Sequence, residues 1–272
     1  MQFIQPKIFH VGQTTLDNEG VQAFLDELGV PDWDTDAPTD QEKSIELSGK
    51  LCYLSFAPEI LNKNVKKITE NNTKYIGNIL KQKHGSVMEH ETDSYILFNV
   101  SRVLTHEVVR HRAGTAFSQV SGRYVRVDDI SMYMPEVFSQ LSYEYGMYTK
   151  AAFQVTVELI EQAVKKLYKD LEIDSLTDFN LKKKITSAVR RLAPNGGANH
   201  IRVTANSRAW RHMIEMRTSE HAEEEIRIVF SMIYHDLAKR YPNIYQDAET
   251  RFVNENDELN NIVEVKFKNS KI

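Results

Sequence analysis

The residues with the most obvious chemical potential are Arg110-His111-Arg112, followed closely by Ser121-Gly122-Arg123-Tyr124. Guanidinium groups hold phosphate through paired N–H donors, which an ammonium cannot do. A glycine beside a serine lets backbone N–H groups approach a ligand. An anion site is one reading of this segment. A solvated helix end, where the C-terminal dipole favours positive charge, is the other. The preceding stretch His106-Glu107-Val108-Val109-Arg110-His111 imitates the His-Glu-x-x-His of zinc proteases with one residue too many. On a regular helix, histidines at i and i+5 lie about 140° apart and cannot share one metal, so no metal site is expected.

Two further clusters carry candidate chemistry. In Asn206-Ser207-Arg208 … His212 … Arg217 … His221, the pairs Arg208/His212 and Arg217/His221 are four residues apart, so each lies on one helical face. An amphipathic helix with exposed polar groups accounts for this equally well, and Glu223, Glu224 and Glu225 read as a solvated patch. The segment His84-Gly85-Ser86-Val87-Met88-Glu89-His90 sits between a helix and a strand, where loops often carry ligand contacts.

The elements that must position these residues can be read from periodicity. Residues 15–30 carry Val21, Phe24, Leu25 and Leu28 on one helical stripe, and residues 31–40 form an acidic linker. That linker mimics a calcium loop, but Ala37 and Lys43 occupy the positions of its glycine and final glutamate. A helix is predicted over 65–83 and a strand over 93–100. A second helix runs from an N-cap at Ser101 to about Arg112, and a second strand covers 121–127. Further helices are predicted at 149–172, 181–193, 207–218 and 219–240, with Asn206 as a cap. The chain beyond Pro242 reads as polar and irregular. The sum is an α+β protein, a small central sheet packed with long helices and a mostly helical C-terminal half.

Composition narrows the function classes. The 272 residues are 41% hydrophobic and carry a net charge of −4, which argues against a dedicated nucleic-acid binder. The single cysteine, Cys52, permits neither an intrachain disulfide nor a cysteine zinc site. No signal peptide or membrane span is evident, so a cytoplasmic location is expected.

Together the three clusters resemble the flavin-dependent thymidylate synthases. The signature of that family is Arg-His-Arg, about seven intervening residues, then Ser; here eight residues, Ala113 to Val120, intervene between Arg112 and Ser121. Gly49-Lys50-Leu51-Cys52-Tyr53, Thr105-His106-Glu107 and Arg190-Arg191-Leu192-Ala193-Pro194 are similar too, and all fall in family order across about residues 49–226. The resemblance implies one synthase-like domain over 46–245, an N-terminal extension and linker over 1–45, and a tail over 246–272. It implies reductive methylation of dUMP, with FAD as cofactor and NADPH and methylenetetrahydrofolate as co-substrates, in a homotetramer with shared active sites. Arg217 would act in catalysis beside the pyrimidine, with Ser121 positioning substrate. Glu107, Arg110, Gln119, Ser121, Arg123, Arg190 and Arg217 would contact dUMP. Ser86, Arg110, His111, Arg112, Gln119, Asn206, Arg208 and His212 would contact FAD, with His84, Glu89 and His221 at the margin of that shell. The competing classes are a non-catalytic nucleotide- or RNA-binding module using the same arginines, a helical scaffold protein, and a relative that binds FAD without methylating.

Overall fold

The computed structural model describes residues 2–63, 65, 67–69, 71–140 and 143–269. The chain begins with β1 (Gln2–Phe3) and β2 (Lys7–Gln13), then α1 (Asn18–Leu28), whose cap Asp17 accepts from the N–H groups of Glu19 and Gly20. Next come α2 (Asp40–Tyr53) and α3 (Asn72–Gln82). The helix expected from residue 65 therefore starts at Asn72, and Ile68 lies outside it. Periodicity predicts no element over 40–53, and α2 shows why. It buries Gln41, Glu42, Ser44, Glu46 and Lys50 instead of an apolar stripe, so hydrophobic periodicity is silent there. Lys50 Nζ pairs with Glu46 at 3.4 Å and donates to the Thr69 carbonyl.

Strand β3 (Thr92–Ser101) passes straight into α4 (Arg102–Val108), and the Ser101 hydroxyl caps the helix by accepting from Leu104 N–H. Helix α4 stops at Val108, short of the expected Arg112. There follow β4 (Thr115–Gln119), β5 (Ser131–Met132), α5 (Val137–Gln140), α6 (Tyr143–Asp170) and α7 (Phe179–Val189). Then β6 (Ala198–Asn206) leads without a loop into α8 (Ser207–Arg217), followed by α9 (Glu224–Arg240), β7 (Ala248–Arg251), α10 (Glu255–Leu259) and β8 (Glu264–Phe267).

The central sheet is antiparallel with strand order β2-β3-β6-β4. Tyr95 and Leu97 of β3 and Ile201, Val203 and Ala205 of β6 share a buried core with Trp210, Met213 and Ile214 of α8 and Val229, Phe230 and Ile233 of α9. The indole N–H of Trp210 donates to the Asp93 carbonyl at 3.2 Å, which ties α8 to the sheet. Residues 121–127, expected as a strand, instead turn sharply: Tyr124 and Val125 N–H both donate to the Ser121 carbonyl at 3.0 Å. The first and last described segments both join the core structure. Strand β2 is the sheet's edge, paired to β3 from Lys7↔Phe98 to Gln13↔Asp93. The segment beyond Pro242, expected to be irregular, pairs β7 with β8 and puts Val263, Val265 and Phe267 into the main core.

Candidate active site

Arg217 ends α8 and meets the C-terminal end of α4. Its Nη1 donates to Glu107 Oε2 at 2.6 Å, its Nη2 to the Glu107 carbonyl at 3.2 Å, and its Nε to His111 Nε2 at 2.9 Å. A guanidinium cannot accept, so His111 Nε2 must present a lone pair and its proton sits on Nδ1. Burial enforces the same state: it lowers the His111 pKa to about 4, helped by the charges of Arg217, His212 and Arg110. Three of the five guanidinium N–H groups are thus used, and the remaining two bond no acceptor among the described residues. The pair stays reachable, with the Arg217 side chain 15% and Glu107 29% exposed.

The segment 105–111 lies alongside β4. Gln119 Nε2 donates to Thr105 Oγ1 at 3.0 Å, and Thr115 Oγ1 donates to the His111 carbonyl at 2.7 Å. Arg110 and Arg112 flank the half-buried His111 and are both exposed.

A cleft of 380 Å³ opens at the start of α8, between Asn206, Arg208 and His212 on one side and Glu89 and Gly114 on the other. Asn206 ends β6 and caps α8, its Oδ1 accepting from Ala209 N–H at 2.8 Å. Gly114 has φ of 67°, and a Cβ there would lie 2.5 Å from Asn206 Nδ2. Only glycine fits. Arg208 pairs with Glu89. The His212 ring meets the His111 ring edge-on at 5.8 Å, which joins the cleft to the Arg217 group. Ser86 is exposed in the adjacent turn, where its carbonyl accepts from Glu89 N–H, and His84 stacks on Tyr53 at 6.0 Å. His221 lies outside these contacts, exposed beside Glu220.

Ser121, Arg123 and Arg190 form a separate group. The Ser121 hydroxyl accepts from Arg123 N–H at 3.3 Å; no imidazole or carboxylate bonds it among the described residues, so nothing there activates it as a nucleophile. Arg190 lies against Gly122, where an added Cβ would come within 3.4 Å of its Cδ. Strand β4 separates the two groups: Gly114 precedes it, Ser121 follows it, and its five residues span about 17 Å at roughly 3.4 Å each.

Glu223, Glu224 and Glu225, expected to be solvated, are structural anchors. Glu223 caps α9, and Glu224 accepts from Tyr133 Oη and Glu136 N–H. Glu225 is 2% exposed and receives both Ser101 N–H, at 2.7 Å, and the Ser101 hydroxyl, so it fixes the start of α4. Burial raises its pKa to about 7, against those hydrogen bonds and with help from Glu223 and Glu224. No spacing rule flags this, because Ser101 lies over a hundred residues away. Sequence reasoning also passes over Lys183, Lys184 and Arg191, which line a second cleft with Arg123; the local signal is the spacing of Asn180, Lys183, Lys184 and Ser187 on one face of α7.

The chain is similar to several known proteins. The family model described as thymidylate synthase complementing protein matches residues 35–243. The flavin-dependent thymidylate synthase of Corynebacterium diphtheriae is 33% identical over 231 residues, 84% of this chain and 86% of that protein. The synthase of the same name from Mycobacterium avium is 34% identical over 232 residues, 84% and 88% of the two chains. Among solved structures, the UMP/dUMP methylase PolB from Streptomyces cacaoi, bound with 5-Br UMP, superposes with a TM-score of 0.61 at 13% identity, covering 90% of this chain and 95% of that one. At that identity the likeness speaks for the fold alone. By sequence and matched length, this chain belongs to the flavin-dependent thymidylate synthase family.

Proposed function

We propose that the chain methylates dUMP to dTMP reductively, with FAD as cofactor, NADPH as its reductant and methylenetetrahydrofolate as carbon donor. Beyond family membership, the observation that carries this reading is the guanidinium of Arg217, fixed by Glu107 and His111 with two N–H groups to spare. Beside a pyrimidine, a fixed cation lowers the cost of losing the N3 proton, and the resulting charge raises electron density at C5, the carbon to be methylated. Neutral His111 orients Arg217 without adding a second positive charge. Arg123 and Arg190 would grip the 5′-phosphate, with the Ser121 hydroxyl and the backbone at Gly122 assisting. Glu107, Arg110 and Gln119 would complete the nucleotide's surroundings.

The cleft at Asn206, Arg208 and His212 suits the anionic part of FAD. It offers an amide and an exposed imidazole at the positive end of α8, beside Arg208, whose bond to Glu89 an anion would have to replace. Ser86, Arg110, His111, Arg112 and Gln119 would hold the remainder. When bound, the reduced flavin supplies the hydride that the protein's own groups cannot. The chain's one cysteine, Cys52, is exposed on α2 and takes part in none of these contacts. A homotetramer with shared sites accounts for the separation along β4, because the two arginine groups of one pocket then come from different copies.

The test is the visible spectrum of the purified protein, then anaerobic titration with NADPH. A bound flavin that bleaches, and dTMP that forms only when dUMP and methylenetetrahydrofolate are both supplied, is the expected result. Colourless protein, or flavin that is reduced without any dTMP, overturns the proposal.

A further inference from the structure

Helix α7 carries Asn180, Lys183, Lys184 and Ser187 at spacings of three and four residues, so they form one stripe on one face, and Arg191, in the turn directly after the helix, lies at the end of it. The opposite face is apolar: Val189 is buried and Ile185 packs against its cluster. Across a cleft of 520 Å³, the stripe faces Arg123. No carboxylate lines this cleft, and Arg123, Lys183, Lys184 and Arg191 make no ion pair among the described residues. Some other cations do hold an acid, among them Arg126, Lys165, Lys166, Arg211, Arg227 and Arg240. Like charges one helical turn apart repel. A protein with net charge −4 that leaves four cations facing one another across a cavity has a site waiting for external negative charge.

The ligand's class follows from the cleft's place and contents. Arg123 belongs both to this cleft and to the Ser121–Gly122 turn against Arg190, so the two anion sites adjoin. One monophosphate cannot engage the whole stripe. Lysines suit separated, flexible charges, because an ammonium imposes no fixed fork geometry. Tyr124 stacks on Phe179 at 6.4 Å, with Lys183 Nζ 4.8 Å from the Tyr124 ring, which places an exposed aromatic face beside the charges. We infer that the α7 cleft binds the polyanionic tail of a co-substrate whose reactive end enters the adjoining nucleotide pocket. The inference rests on the proposed function, which offers two such tails: the glutamate carboxylates of a polyglutamyl folate, and the 2′-phosphate and diphosphate of NADPH taken together.

The Lys183→Gln/Lys184→Gln double variant removes charge from the stripe and keeps good helix formers. Two pairs of probes are compared on flavin-loaded wild type and variant, by calorimetric Kd and by KM: polyglutamyl against monoglutamyl methylenetetrahydrofolate, and NADPH against NADH. The variant should lose about tenfold in affinity for the more anionic member of one pair, with kcat and the less anionic member unchanged. Loss of the polyglutamyl preference assigns the folate tail; loss of the NADPH preference assigns the 2′-phosphate. Both preferences intact in the variant, or neither present in the wild type, overturns the inference. So does a variant that loses affinity only for a short RNA, or one whose oligomeric mass falls, since the occupant is then a polymer or another copy of the chain. Should the wild type form no dTMP, the functional proposal fails, while the calorimetric comparison still decides this one.

Discussion

The two arginine groups at the ends of β4 are held in opposite ways. Arg217 is half-buried and spends three donors on Glu107 and His111, whereas Arg123 and Arg190 are exposed, and neither makes an ion pair among the described residues. The difference separates two jobs that one residue type can do. A guanidinium locked by its own protein has a fixed direction and can favour one charge distribution over another. A guanidinium left to solvent can only collect an anion.

The comparison breaks first at Arg217. Arg217→Ala should abolish dTMP formation, a loss of about 10²–10³-fold or more in kcat, while FAD stays bound. A variant that turns over normally removes Arg217 from the chemistry. Arg190→Ala should act on binding instead, weakening dUMP by about 10- to 100-fold with a smaller change in kcat. Unchanged dUMP affinity would put the phosphate elsewhere. Gly114→Ala tests the support beneath the locked group. Its Cβ would collide with buried Asn206 in a backbone conformation that alanine resists, so we expect a loss of about 1–3 kcal/mol in stability and weaker flavin retention. A melting temperature equal to wild type would show that the Asn206 cap yields.

The smallest effects are pH-dependent and have opposite signs. His111 is harder to protonate folded, at about 4, than at its ordinary 6.5. The folded state therefore loses stability as pH falls from 6.5 towards 4, and the Arg217–His111 bond opens near the lower value. An imidazole NMR titration with a midpoint near 6.5 would contradict the hydrogen bond. Glu225 runs the other way. Its pKa is raised from 4.5 to about 7, so the folded state loses stability as pH climbs through that interval. Glu225→Gln should flatten that part of the stability–pH curve, measured by denaturant melts; an identical slope would mean that the carboxylate ionises at no cost.

What is legible in the sequence follows local pattern. β3 is a long run of strand-forming residues, and Ser101 and Asn206 are caps with a helix directly behind them, so all three occur where local pattern puts them. β6 escapes that reading although Ile201, Val203 and Ala205 alternate inward against His200, Arg202 and Thr204 on the other face. The strand expected over 121–127 is a turn, since alternation there comes from exposed Arg123 and Tyr124 and not from burial. In the site, it is resemblance to a family that groups Glu107, His111 and Arg217. Their bonds cross more than a hundred residues, a separation that no periodicity encodes. The burial of Glu225 and the stripe on α7 are passed over for a different reason: charge alone reads as solvated.

The end of α8 also depends on a segment outside the matched family region. Thr218, the residue after Arg217, is fully buried; its hydroxyl donates to the Ile214 carbonyl at 2.8 Å and accepts from Val265 N–H of β8 at 2.9 Å. Phe267 N–H reaches Glu215 at 3.3 Å, and the Arg211 guanidinium rests 3.9 Å from the Phe267 ring. A premature stop near residue 260 would therefore do more than shorten the protein. It would unlatch the helix end that aims Arg217, so damage to the last stretch of the message would surface as a defect in chemistry.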